Sequence, residues 1–528
     1  MIRSLRLIRD RKLTLATLLD ELLPLRGDRL VSLGEEGEEP EGSPPRAQRL
    51  ADLHLQAGAM SRFLAEETGF RRGERVAIFK TNNVECFRWF LAVIRAGGIA
   101  VPLNPMLTLP ELQSIASRCG ISTLITDRPI FDRTILSRQA LPVRDWVQTG
   151  SGAPLDGFLR CTPDWRQASP PPPADISPSD TVAIFHTSGT AGFPKGAQLS
   201  SSALLAGRAA ALLSAPLAKG RARALFPLPW AHIMAVSTAL HGLLAGAPAY
   251  FLPRFEVQAA LQAIERHRLT VVVGVPAMFI RLLNSAPSPE SLASVRLWVC
   301  SSDRLPAPHL RRLLEYGGVF VNAYGMVELG GVAMLGLASR HLRAGGELCV
   351  RVPPFRVRVA DQQGRQTRPG EVGECQIRGP GVTGTYWGDA AGAPSPLADG
   401  GWLRTGDLAV RNRLGLIRLA GRAKDVIKCG GYSIFPSEAE EALASHAAVL
   451  RVAVIGVPHP EKGEEPVAIV ECHAAAASTE EELLAHCRAR LAPYKVPRRI
   501  HLVPPGTLPQ GPTEKVLKRL LREQYGAP

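Results

Sequence analysis

The sequence predicts an α/β protein: a large N-terminal domain of parallel α/β sheets with a small β-barrel-like subdomain, and a smaller α+β unit at the C-terminus. Three observations carry this. Short apolar runs alternate with helical patterns from Arg75 to Cys300, the signature of parallel strands joined by crossover helices. From Gly346 to about Arg418 the texture changes to many short β runs with Gly-rich turns. Beyond Arg422–Lys424 helices and strands follow one another in a third texture, so the domain boundary is set there, with residues 1–423 before it and 424–528 after.

The elements follow in chain order. Leu15, Leu18, Leu19, Leu22 and Leu23 fall at helical spacing behind a basic start. Their face either packs on the protein body or lies on a membrane surface, which leaves peripheral membrane contact open. That start has no long apolar region and no small-residue cleavage site, so it is not read as a secretory signal. Glu35–Arg46 (EEGEEPEGSPPR) and Ala168–Asp180 (ASPPPPADISPSD) read as loops, the second stiffened by its prolines. Arg75–Phe79 is a strand, Glu85–Ala96 a helix and Thr123–Thr126 a strand. Thr181–His186 is a strand that runs into a Gly-rich turn, and Ala222–Phe226, Ala249–Leu252, Val271–Val273 and Leu297–Cys300 are further strands. Arg356–Val359, Glu374–Ile377 and Leu416–Leu419 are the short β runs. After the boundary come a helix over Ser437–Ser445, with Ser437 as its N-cap, strands over Val452–Ile455 and Val467–Glu471, and a helix over Thr479–Arg490.

Composition excludes several classes. The 528 residues suffice for roughly three or four domain-sized units. Hydrophobic residues at 45% and charged residues at 21% exclude wholesale disorder, and unperiodic Gly and Pro exclude a fibrous rod. Nine cysteines without a CxxC pair exclude a disulfide scaffold and a Cys-based zinc module, and favour a reducing, cytoplasmic compartment. The net charge of +14 comes from 52 Arg and 10 Lys against 48 acidic residues. The arginines are scattered, with no basic run interleaved with aromatics, so no nucleic-acid partner is expected, while anionic ligands or surfaces stay open. The most apolar stretch, Ala235–Leu252, holds His241, Gly242, Gly246 and Pro248, and does not read as a membrane span.

The most informative segment is Thr187–Gly196, TSGTAGFPKG, directly after the Thr181–His186 strand. Glycines let backbone approach an oxyanion, hydroxyls and amides hydrogen-bond it, and Lys195 adds a point charge for phosphate. The segment is not a Walker A loop, because Lys195 follows Pro194 and no Ser or Thr follows it. An ordinary flexible turn is the plain alternative.

With further motifs in the same order, this loop resembles that of the adenylate-forming superfamily of acyl-CoA synthetases, peptide-synthetase adenylation domains and luciferases. The likeness runs from about Leu15 to Leu521 and is greatest to fatty acyl-CoA ligases. It implies that Thr187, Ser188, Gly189, Thr190 and Lys195 bind ATP phosphates, with Thr190 catalytic. Asn322–Glu328 (NAYGMVE) resembles the block in which Asn322, Tyr324 and Gly325 hold the adenine and Glu328 holds Mg²⁺, a hard oxygen ligand for a hard cation. Ser302 and Asp303 in SSDRLP resemble the adenine-pocket wall. Asp407 in GGWLRTGD is implied to accept both ribose hydroxyls, and Arg422 in GRAKDVIKCGG to contact ribose and phosphates. Lys424 falls at the family's hinge, which implies a mobile C-terminal domain. In LPQGPTEKVLKR the family's catalytic lysine lands on Lys515.

The resemblance also implies a substrate and a second step. Trp230, His232 and Met234 in PLPWAHIM, with Gly330 and Gly331, would form the acid pocket, His232 at its mouth. No carboxylate stands in that segment to meet an amino group, and an apolar, Gly-lined slot fits a medium- or long-chain fatty acid. Lys428, Gly430 and Gly431 match the segment that lines the pantetheine tunnel, which implies CoA as acceptor. ATP, Mg²⁺ and CoA are therefore the expected cofactors and co-substrates of an AMP-forming acid–thiol ligase; a homodimer is left open. Two alternatives stand beside it: transfer to a carrier protein, and a nucleotide-binding homologue without turnover. The second is motivated by Val327, Ala191 and Glu514, where other residues are common.

Overall fold

A computed structural model describes residues 10, 12–35, 47–134, 138–150, 152–161, 169–187, 195–210, 222–342, 346–389, 395–473, 478–511 and 516–526. Three sheets organise the chain. An eight-stranded sheet runs, edge to edge, through Tyr386–Trp387, Lys195–Ser200, Thr181–Thr187, Ile99–Pro102, Arg75–Ile78, Ile121–Thr126, Asp145–Gln148 and Leu159–Arg160. From Thr181–Thr187 onward the strands are parallel. The helix Val84–Arg95 crosses between two of them, and ten of its twelve residues are buried, the expected state of a crossover helix roofed by further structure.

The second sheet has fourteen strands. Its parallel half contains Leu30–Glu35, Ala249–Phe251, Ala224–Phe226, Val271–Gly274, Leu297–Ser301 and Val319–Met326. Runs such as VVVG at Val271–Gly274 are buried throughout, as central parallel strands require. Its other half is antiparallel: Gly331–Ala338, Leu348–Arg351, Ile417–Arg422, Trp402–Arg411, Val372–Arg378 and Arg356–Ala360 follow in that order. These are the short β runs expected to form a barrel-like subdomain, and they do not close. Arg356–Ala360 pairs only with Val372–Arg378 among the described strands and ends the sheet. Alternation is the same in a barrel and in an open wing. Here the edge carries Arg356 and Arg358, the latter stacked 4.4 Å over the Trp402 ring, and charged edges resist further pairing.

The third sheet begins at Ile427 and holds Ile427–Cys429, Tyr432–Ile434, Val449–His459, Gly463–Cys472 and Arg499–Val503. Helices Pro436–Ala444 and Glu480–Arg488 pack on it. Thr479 caps the second, its hydroxyl accepting from the Glu482 amide at 3.2 Å while the Glu482 carboxylate accepts from the Thr479 amide at 3.0 Å. Ser437, expected as the N-cap of the first, is not: Phe435 holds that position. Pro436 pre-sets the first turn instead, which frees the Ser437 hydroxyl to donate to the Ala420 carbonyl at 2.9 Å. That bond ties this helix to the end of the second sheet.

The N-terminal helix spans Leu18–Arg26. Leu15, Leu18, Leu19 and Leu22 are buried in the core, and Arg26 donates to the carbonyls of Leu243 and Leu244 at 3.0 and 2.7 Å. The leucine face is thus covered by the protein itself. Among the described residues no helix is long and apolar enough to cross a membrane. None of the nine cysteines forms a disulfide.

Candidate active site

A cavity of about 1190 Å³ opens where the second and third sheets meet. One wall is the Ser302–Arg304 turn, another the strand end at Asn322–Met326, a third Asp407 with Leu419–Arg422. Ser437, Glu440, Glu441, Arg451 and Val516 close it from the C-terminal side. Seven sequence-derived nucleotide-site residues therefore share one space despite wide separations in the chain: Ser302, Asp303, Asn322, Tyr324, Gly325, Asp407 and Arg422. Ser302 adopts a left-handed backbone (φ 72°), a conformation a serine holds only where its surroundings impose it.

Tyr324 sits where the strand pairing with Gly331–Ala338 shifts register. Gly325 is needed here, because a Cβ would lie 2.1 Å from the Gly331 carbonyl oxygen. The Tyr324 hydroxyl donates to Asp407 at 2.6 Å, and burial together with the charge of Asp407 pushes that phenol well above its ordinary pKa. The other Asp407 oxygen meets Arg422 Nε at 3.0 Å. Thr405, in turn, accepts from the Asp407 amide at 3.1 Å and donates to the Cys375 carbonyl at 2.6 Å. The carboxylate is thereby held rigidly at the cavity wall, a preformed acceptor. Arg304 lies between two acids, 3.3 Å from Glu347 and 3.5 Å from Glu441 on the helix Pro436–Ala444.

The Gly-rich loop joins the antiparallel strands Thr181–Thr187 and Lys195–Ser200, a hairpin closed by the Thr187↔Lys195 pair. Ser188, Gly189 and Thr190 lie outside the described residues, as does Lys515. Lys195 is exposed and its ammonium stands 5.0 Å over the ring of Tyr386. The hydroxyl of Tyr386 donates to Glu328 Oε1 at 2.8 Å. Glu328 is buried, and the Tyr386 bond to Oε1 leaves Oε2 as its second acceptor oxygen. One carboxylate oxygen of that kind suits Mg²⁺, which takes one or two protein carboxylates and completes its shell with water and substrate phosphates.

The comparisons with known proteins join at this point. The family model described as AMP-binding enzyme matches residues 48–387, and the one described as AMP-binding enzyme C-terminal domain matches residues 438–515. The chain belongs to the AMP-binding enzymes. A feruloyl-CoA synthase from an Amycolatopsis species is 34% identical over 464 residues, 87% of this chain and 90% of that one. A long-chain-fatty-acid–CoA ligase of Bacillus subtilis (strain 168) is 29% identical over 90% of this chain and 89% of its own length. A sulfoacetate–CoA ligase of Cupriavidus necator is 32% identical, with coverage of 88% and 90%. Among solved structures, ATP-bound MatB from Rhodopseudomonas palustris matches with TM-score 0.82 at 26% identity, over 97% of this chain and 99% of that one.

In this AMP-binding enzyme the expected acid-pocket residues are split. Trp230 is buried in an aromatic stack, its ring 4.9 Å from Phe87 and 5.3 Å from both Phe226 and Phe251. Met234 and Ser237 lie on the helix Ile233–Ala245, and a Cβ on Gly331 would come within 3.0 Å of the Ser237 Cβ. Gly330 adopts φ 69° and abuts Ala203 so closely that a Cβ would fall 2.5 Å from its backbone. His232 begins the helix, and its buried Nε2 has no partner among the described residues. Burial pulls its pKa down to about 4.

A depressed histidine pKa has a definite sign for stability. The unfolded imidazole takes up its proton near pH 6.5, the folded one only near pH 4. The folded state is therefore favoured above pH 6.5 and loses this contribution as the pH falls towards 4. Between pH 7 and pH 5 the loss at His232 is about 2 kcal/mol. The urea midpoint should fall over that window, and His232→Asn should flatten the fall; an unchanged slope would show that His232 is protonated in the native protein.

Lys428, Gly430 and Gly431 occupy the exposed hairpin of Ile427–Cys429 and Tyr432–Ile434. Lys428 bonds the Ser433 hydroxyl at 2.7 Å, and none of the three lines the large cavity. Lys424 lies in the turn Ala423–Asp425, where Asp425 pairs with Arg522 at 2.8 Å. Three participants were given no site role from the sequence, Arg304, Tyr386 and Thr405, and Ser437 was read only as a helix cap. Each acts through a partner distant in the chain. Only Tyr386 had a local cue, an aromatic pair after a Gly-rich stretch.

Proposed function

We propose that the protein activates a carboxylic acid with ATP and transfers the acyl group to CoA, as an AMP-forming acid–thiol ligase. The observation that carries this is the convergence of Tyr324, Asp407, Arg422 and Val516 on one cavity. Tyr324 offers a face for the adenine, the clamped Asp407 accepts from the ribose hydroxyls, and Arg422 neutralises phosphate. Glu328 would hold Mg²⁺ on the phosphates, which the ion would help to neutralise, while Thr190 and Lys195 of the loop would contact the phosphates themselves. Lys515 would bridge the attacking carboxylate and the α-phosphate. The carboxylate oxygen bonds to the α-phosphorus, the α–β bridging bond breaks, and pyrophosphate leaves.

The second step would be attack of the CoA thiolate on the acyl carbon, with AMP as leaving group. We place the hinge at Lys424 and the domain boundary with it; rotation there would withdraw Lys515 and bring Lys428, Gly430 and Gly431 to the acyl-adenylate. Val516 at the cavity and the distant 427–434 hairpin are the arrangement suited to the first step. For the acid we favour a medium- or long-chain fatty acid, which the apolar character of the segment around Trp230 and Met234 supports. The names of the relatives, which span feruloyl, long-chain fatty and sulfoacetate substrates, support acid–CoA ligation as a class. A cytoplasmic setting suits nine cysteines without a disulfide.

The test is pyrophosphate release with Mg-ATP across aliphatic, aromatic and sulfonated acids, with and without CoA, the thioester tracked by mass. Thioester with aliphatic acids of about eight or more carbons is expected, from the length an apolar slot can bury. Thioester with aromatic acids alone would overturn the fatty-acid assignment and leave the ligase reading standing. Pyrophosphate without thioester would point to a carrier-protein acceptor.

A further inference from the structure

We propose that Tyr386 is a positioning residue that holds Glu328 and Lys195 in one frame for nucleotide binding, an inference that rests on the ATP-site reading above. Two functional groups from different parts of the chain meet on this one side chain: its hydroxyl bonds Glu328 Oε1 at 2.8 Å and its ring carries the Lys195 ammonium at 5.0 Å. The backbone around it makes the same two connections. Tyr386 and Trp387 pair with Ala197 and Gly196, which follow Lys195 directly. The Thr383 amide donates to the Glu328 carbonyl at 2.9 Å. Gly381 and Gly330, one on each side of the join, both close on Ala203 to distances that admit no Cβ. Residues 381–387 thus form a strap across the Gly-rich hairpin and the turn that bears Glu328.

The chemistry of the strap is specific. A phenol hydroxyl donates to one carboxylate oxygen and leaves the second, Oε2, directed by the first. The ring face attracts the ammonium without neutralising it, so Lys195 keeps its charge for phosphate. Both effects bear on the geometry in which the nucleotide and its cation are met, and neither requires Tyr386 to touch the substrate.

Two substitutions separate the roles. Tyr386→Phe keeps the ring under Lys195 and removes the hydroxyl; Tyr386→Leu removes both. ATP binding is measured calorimetrically without any acid, over a range of Mg²⁺ concentrations, and thermal unfolding is recorded beside it. For Tyr386→Phe we expect the Mg²⁺ needed for half-maximal ATP binding to rise about tenfold, with affinity at saturating Mg²⁺ nearly restored, since one hydrogen bond to a charged group is lost. For Tyr386→Leu we expect weaker ATP binding at every Mg²⁺ concentration. A Tyr386→Phe protein that matches the parent in Mg²⁺ dependence and in affinity overturns the proposal even if the Leu variant fails to fold. A parent protein that binds no ATP overturns the ATP-site reading, and this inference with it.

Discussion

Replacing Lys515 with alanine is expected to cut acid-dependent pyrophosphate release by roughly 10²–10³-fold, the usual cost of deleting one preorganised charge-stabilising donor. Thioester formation from supplied acyl-adenylate and CoA should stay within about threefold of the parent, because that step would proceed with Lys515 withdrawn. Lys515 lies outside the described residues, but its neighbour Val516 lines the same cavity as Tyr324 and Asp407, and Val516 is held by a bridge to Gln510. Equal losses in both half-reactions would place Lys515 outside the adenylation chemistry. So would no loss in either.

The largest stability effect is expected at Lys80→Met. The Lys80 ammonium is buried, 2.9 Å from Glu85, 2.7 Å from Asn83 Oδ1 and 3.8 Å from Asp127. Burial alone would lower its pKa; the facing carboxylates of Glu85 and Asp127 outweigh that and raise it. Removing the cation strands two buried carboxylates, and breaking a buried pair in this way costs about 3–5 kcal/mol. The midpoint of urea unfolding should drop accordingly. Lys80→Met combined with Glu85→Gln should recover part of the loss, since one stranded charge is gone. Single and double variants of equal stability would mean that the cluster is not ionised as described. The neighbouring Asn82 bonds the Trp230 amide and the Pro253 carbonyl at 2.9 Å each, so loosening this corner also reaches the segment that carries His232.

Local patterns in the sequence were enough for the crossover helix at Val84–Arg95, expected at Glu85–Ala96, because its apolar residues and flanking strands announce it. They were enough for the helix that follows Thr479, but they put the cap of the preceding helix at Ser437. A serine just inside a helix reads as a cap until the competing acceptor, Ala420, comes into view. The open antiparallel wing was invisible for a similar reason: alternation specifies a strand's two faces, not the identity of its last neighbour. The sequence-derived residues that line the large cavity were singled out by motif alone. What motifs could not supply are the joins: Tyr324 to Asp407 spans 83 residues and Tyr386 to Glu328 spans 58. Such pairs exist only once the sheets are assembled.

Arg304, shared between Glu347 and Glu441, gives the C-terminal unit a hold that water can reach. An ion pair of such exposure is worth at most about 1 kcal/mol, a factor of about five in population. With the hinge we propose at Lys424, a grip of that size would be weak enough for thermal motion to release. Dissolved ions would act on it as a throttle: the screening length shrinks from about 10 Å at 0.1 M salt to about 3 Å at 1 M. The balance between clamped and released forms, and with it the share of time given to each half of the reaction, would then shift with the ionic strength of the surrounding fluid.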